Sequence, residues 1–151
     1  MTLASAAAPD LMISAAESVG LAPCAAGRVL VVDDDEPIRA LFHTILTRNI
    51  KGCEVDRVTN GSEAVEAFIA NHHAVVVMDL HMPVMDGRRA FLELERACGR
   101  MRWAMPAVLF CTGYAPPEAV TRLVHANGRH ALLAKPVDVR VLIDAVQSRL
   151  G

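Results

Sequence analysis

The sequence predicts a doubly wound α/β domain: a five-stranded parallel sheet with helices on both faces. Three observations predict it. Short strand-like runs at 29–32, 54–59, 75–78, 106–111 and 130–134 alternate with five segments whose apolar residues recur at helical spacing. The links are short, and strand–helix–strand crossovers of this length join parallel strands. Finally, four of the runs end on Asp33-Asp34, Asp79, Thr112 and Lys135. Those tips converge on one end of the sheet, where open α/β sheets bind ligands.

Length and composition set the bounds. At 151 residues the chain suits one domain with a sizeable core. A net charge of −2 offers nucleic acid no basic footprint. No run of about 18 apolar residues is present, so no membrane span is expected. The four cysteines are scattered with no C-x-x-C pair, which suits a reducing cytosol, and Cys111 reads as a core residue. The six histidines show no ligand spacing and read as packing or solvated side chains. Residues 1–27 read as an N-terminal extension without the basic start of a signal peptide. Within it Asp10 could cap a helix over 11–19, ended by Gly20, the alternative being a disordered leader. The domain itself is expected over 28–150.

Val29-Leu30-Val31-Val32 opens that domain as a buried strand and ends on Asp33-Asp34-Asp35. Glu36-Pro37 starts a helix, with Ile38, Leu41, Phe42, Ile45 and Leu46 at helical spacing. The run at 54–59 is short and polar, so it reads as a sheet edge. Asn60-Gly61-Ser62-Glu63 then supplies a turn and a capping-box-like start for a helix burying Ala64, Val65, Phe68 and Ile69. The run Val75-Val76-Val77-Met78 is the most apolar and stops abruptly on Asp79. Pro83 and Asp86-Gly87 turn the chain into a helix from Arg88 to about Cys98, and 99–104 reads as a loop. A fourth strand at 106–111 leads to Thr112-Gly113, and Pro116-Pro117 opens a helix to about Ala126. The last strand delivers Lys135-Pro136. Asp138 then caps a helix expected to turn Val141, Leu142, Ala145 and Val146 inward.

An isolated aspartate at a strand end can simply cap the next loop. Here three acids, a hydroxyl and a lysine share one crevice. Clustered carboxylates without imidazole or thiolate suit Mg²⁺, and a lysine and a threonine opposite suit phosphoryl oxygens. Chemistry alone leaves open whether phosphate is bound or transferred to a carboxylate.

From Arg28 to Leu150 the chain resembles a receiver domain of the bacterial two-component response regulators. The resemblance rests on Val31-Val32-Asp33-Asp34, the stretch from Met78-Asp79 through Met82-Pro83 to Asp86-Gly87, Thr112-Gly113 and Lys135-Pro136. It implies a flavodoxin-like fold with strand order 2-1-3-4-5. It also implies that Asp79 takes a phosphoryl group from a sensor histidine kinase or histidine phosphotransfer protein. Asp34, Asp79 and the His81 backbone carbonyl would hold Mg²⁺, with Asp33 acting through a water, and Lys135 and Thr112 would bind phosphoryl oxygens. Asp35 matches a variable position. The implied protein is a cytoplasmic phosphorelay module, monomer or weak homodimer, resembling the stand-alone chemotaxis-type receivers. It would signal to a downstream protein and catalyse at most its own phosphorylation and dephosphorylation.

One departure concerns the switch. Many receivers carry an aromatic residue three positions before the lysine, and here that position is Leu132; Tyr114 lies instead on the loop after Thr112. Two rivals remain. A degenerate receiver would serve as an unphosphorylated interaction module. A haloacid-dehalogenase-like phosphatase would use Asp33-x-Asp35 and leave Asp79 without a role.

Overall fold

The computed structural model describes residues 20–150; the candidate helix at 11–19 lies outside them. Strands β1 (Ala25–Val32), β2 (Glu54–Val58), β3 (His73–Asp79), β4 (Ala107–Thr112) and β5 (Ala131–Ala134) form one parallel sheet in the order β2-β1-β3-β4-β5. Helices α1 (Glu36–Asn49), α2 (Gly61–Asn71), α3 (Gly87–Met101), α4 (Glu118–His125) and α5 (Val139–Leu150) complete it. This is the flavodoxin-like arrangement. The strand order reverses between β1 and β3, and a crevice opens there above the tips.

Alternation along the strands divides the core into two layers. Val29, Val31, Val75, Val77 and Leu109 pack beneath Phe42, Leu46, Leu142 and Val146 of α1 and α5. Leu30, Val32, Val76, Met78 and Phe110 pack beneath Ala64, Phe91, Val120 and Val124 of α2, α3 and α4. Covered on both faces, β3 is buried at every residue.

Side-chain caps set the helix starts. Asp35 accepts from the Ile38 N–H, Asn60 from Glu63 at 2.9 Å and Asp86 from Arg89 at 2.8 Å. Asp138 accepts from the N–H groups of Arg140 and Val141.

Three expectations are corrected. β1 begins ahead of Val29, at Ala25, because Gly27 at φ +79° and a register shift between Ala25 and Val29 carry an irregular start. α3 continues through Gly99 and Met101, where a loop was expected, and ends on Arg102 in the left-handed conformation at φ +56°. Val141 is 48% exposed rather than inward-facing, since Leu142 and Val146 take the buried stripe and a one-residue step turns the helix by about 100°. For the same reason Leu41, between Ile38 and Phe42, stands 54% exposed.

Ahead of β1 a short strap crosses the end of the sheet opposite the crevice. The Ala22 N–H donates to Arg102 O at 2.8 Å and the Ala104 N–H to Ala22 O at 2.7 Å. Trp103 stacks on His72 beside it, with ring centroids 4.2 Å apart. α5 finishes at that same end, where Arg149 bonds the Arg129 carbonyl just before β5. No helix among the described residues is long and apolar enough to cross a membrane.

Candidate functional site

At the strand tips the side chains of Asp33, Asp34 and Asp79 place carboxylate oxygens within 4.8 Å of one another. β1 delivers Asp33 and β3 delivers Asp79, and both are buried, whereas Asp34 faces solvent. Asp33 Oδ1 accepts from the Asp35 N–H at 2.9 Å, and Asp79 Oδ1 accepts from the His81 N–H at 3.3 Å. From β5, Lys135 Nζ reaches Asp33 Oδ2 at 3.2 Å and Asp79 Oδ2 at 3.3 Å. One ammonium thus bridges the two buried carboxylates.

The electrostatics follow from burial and proximity. Burial pushes the Asp33 carboxyl above its usual range, and the nearby Asp79 charge adds to that, against the pull of Asp35 and Lys135. Burial works to lower the Lys135 pKa, but the attraction of Asp33 and Asp79 outweighs it, so the ammonium is held above its ordinary value. Lys135 stays charged across the physiological range. Beneath the site, burial pushes the Cys111 thiol up to about 12, which makes it an inert core group as expected.

Thr112 is buried at the β4 tip but does not face the carboxylates through a hydrogen bond. Its hydroxyl donates to Tyr114 O at 2.9 Å and accepts from the Tyr114 N–H at 3.2 Å. Tyr114 itself is 76% exposed, and its ring meets that of His81 edge-on at 5.8 Å. The Lys135 N–H bonds Thr112 O at 2.9 Å, which ties the tips of β4 and β5 together. The structure therefore brings Asp33, Asp34, Asp79 and Lys135 into one cluster, with Thr112 and His81 at its rim. Asp35 is occupied in capping α1.

Two further residues shape the site: Arg39, which the sequence did not point to, and Gly87, which it marked as part of a turn and motif. Arg39, from the first turns of α1, donates to the Asp33 backbone carbonyl at 2.8 Å and so fixes the end of β1. Gly87 lies so close to the end of β3 that a Cβ there would sit 2.6 Å from Asp79 O. An arginine in a helix does not mark itself as part of a site, whereas Gly87 stood in the motif without its steric reason.

The donor set fits a hard divalent cation: three carboxylates at one point, with no sulfur or imidazole in the group. Known proteins resemble this chain. The sequence model of the response regulator receiver domain matches residues 29–147. The chain is 31% identical over 125 residues to the chemotaxis protein CheY of Halobacterium salinarum, covering 83% of this chain and 98% of that one. It is 32% identical over 126 residues to the regulatory protein AtoC of Escherichia coli; the match takes in 83% of this chain but only 26% of that protein. Among solved structures, the chemotaxis protein CheY4 of Vibrio cholerae superposes with a TM-score of 0.66 at 26% identity, over 83% of this chain and 99% of that one. By the extent of these matches, this chain belongs to the response regulator receiver domain family.

Proposed function

We propose that Asp79 is the phosphoacceptor of this receiver, taking its phosphoryl group from the phosphohistidine of a sensor kinase or phosphotransfer protein. One observation carries the reading: Asp79, two further carboxylates and the Lys135 ammonium meet at one point on the strand tips. An Asp79 carboxylate oxygen attacks phosphorus as the P–N bond to the donor imidazole breaks and the electron pair leaves with that nitrogen. A carboxylate is already ionised near neutral pH, so the attack needs no general base. Asp34, Asp79 and the His81 carbonyl would hold Mg²⁺, with Asp33 acting through a water; bound there, the ion supplies positive charge against the phosphoryl oxygens. Lys135, already beside Asp79, supplies the second positive charge. Thr112 completes the set only after releasing the Tyr114 backbone.

The receiver unit is read as residues 28–150, working in the cytoplasm, where a reducing environment suits four free cysteines. The intact set of site residues favours this reading over a degenerate interaction module. Acetyl phosphate with Mg²⁺ should add one phosphoryl mass to the intact protein and none to Asp79→Asn. Full labelling of that variant would sink the assignment.

A further inference from the structure

We propose that Arg129 and Arg149 form a binding site for a phosphate-type oxyanion at the end of the sheet opposite Asp79. With Gly128 and Ser148 they line a cleft of about 420 Å³, inside the roughly 300–1,000 Å³ range of small-molecule sites. Each arginine is anchored on main chain. Arg129 donates to Met105 O at 3.3 Å and to Arg149 O at 3.2 Å. Arg149 donates to Arg129 O, to Ala145 O at 3.0 Å and to Ser148 Oγ at 3.4 Å.

These bonds fix the two guanidinium groups but bring no negative charge. Among the described residues only Arg28, Arg96 and Arg122 of the arginines pair with a carboxylate; Arg129 and Arg149 share the lack of a partner with other arginines and differ in lining one cleft together. Two like charges lining one cleft, with no carboxylate paired to either among the described residues, repel, and an anion between them relieves that repulsion. Donors remain for it: Arg129 Nε and Arg149 Nη2 bond no protein group among the described residues. Planar forks of this kind match the oxygens of a phosphoryl group, and anchoring them beforehand lowers the ordering cost of binding. The cleft has room for a phosphate ester as well as for free phosphate.

Buried His130, next in the chain, provides a local reporter. Burial, then the charges of Arg129 and Arg149, push its pKa down to about 4. An anion on the arginines should raise it. The test is NMR of the full chain without Mg²⁺ at constant ionic strength, titrated in one arm with inorganic phosphate and in another with a nucleoside monophosphate. We expect saturable shifts at Gly128, Arg129, Arg149 and the His130 ring, the tighter arm telling free phosphate from ester. Arg129→Gln and Arg149→Gln should each weaken binding tenfold or more, and Arg122→Gln should not. Because Arg149 also closes the last turn of α5, Arg129→Lys serves as a gentler variant, keeping the charge and losing the fork, and should weaken binding several-fold. Shifts reproduced by chloride, shifts centred on Lys135, or binding that survives both Gln variants would overturn the proposal.

Discussion

At the scale of single residues, neighbouring side chains of one type do different work. Asp33 and Asp34 join Asp79 at the strand tips, while Asp35 accepts the Ile38 N–H and caps α1. Asp35→Ala should therefore cost about 1 kcal/mol of stability, as a lost N-cap does, and leave acetyl phosphate labelling at the wild-type level. Labelling lost in that variant would restore the phosphatase reading. The histidines divide in the same way. His72 stacks on Trp103, whereas His130 is buried with Nδ1 accepting the Val108 N–H at 3.0 Å. Its folded pKa of about 4 lies below the unfolded value near 6.5. As pH falls below about 6.5 the unfolded chain takes up the proton first, so stability present above that pH is lost on the way down to 4. At pH 5 the loss from this group is about 2 kcal/mol, taking about 1.4 kcal/mol per unit. Fully buried His73, also depressed by burial, acts in the same sense, whereas Asp33, raised by burial, opposes it at lower pH. Denaturant midpoints between pH 7.5 and 5 should fall less steeply in His130→Asn than in the wild type; parallel slopes would contradict the assignment.

At the scale of elements, we expect the loop from β4 into α4 to carry the switch. Thr112 holds the Tyr114 backbone through both its donor and its acceptor. Turning the hydroxyl toward a phosphoryl oxygen breaks the bond donated to Tyr114 O and loosens the Tyr114 backbone. α4 is short, and its N-cap, Pro117, makes no side-chain capping bond, so its start follows the loop easily. Leu132 on β5 is partly buried and has no ring to reorient. We therefore expect beryllofluoride with Mg²⁺ to shift the NMR signals of Tyr114 and residues 116–126. Changes confined to the Leu132 strand would refute this route. Elements also show where sequence reading fails. Gly99 suggested the end of α3, but the left-handed cap falls on Arg102, a residue with no intrinsic preference for that conformation. At Val141 and Leu41, adjacent apolar residues made the buried stripe look wider than the packing allows.

For the whole molecule, the helix alternation and the carboxylate cluster were legible because each follows from a repeating pattern or an abrupt change in one, whereas the order of strands was implied by the resemblance alone. The irregular start of β1, the Arg39 brace and the two buried histidines were not legible. The β1 start and the buried histidines depend on contacts between segments far apart in the chain, and the Arg39 brace on a side chain reaching back to the strand end, none of which a local period records. The cluster also bears on global stability. Asp33, Asp34 and Asp79 repel one another when folded, and only the folded chain assembles them. A cation bound there stabilises by mass action. Millimolar Mg²⁺ should raise the melting temperature of the wild type and raise that of Asp34→Asn much less. Equal rises would remove Asp34 from the ligand set.

The strap at Ala22 and the end of α5 leave the molecule on the same side, away from Asp79. Receivers are often read as parts in larger machines, and this geometry is what a replaceable part needs. The described residues thus begin and end on the side away from the reactive end, where a visiting donor would approach. A fluorophore or purification handle joined straight onto Leu150 would start on the side away from Asp79, so relay rates of the tagged and untagged protein should agree.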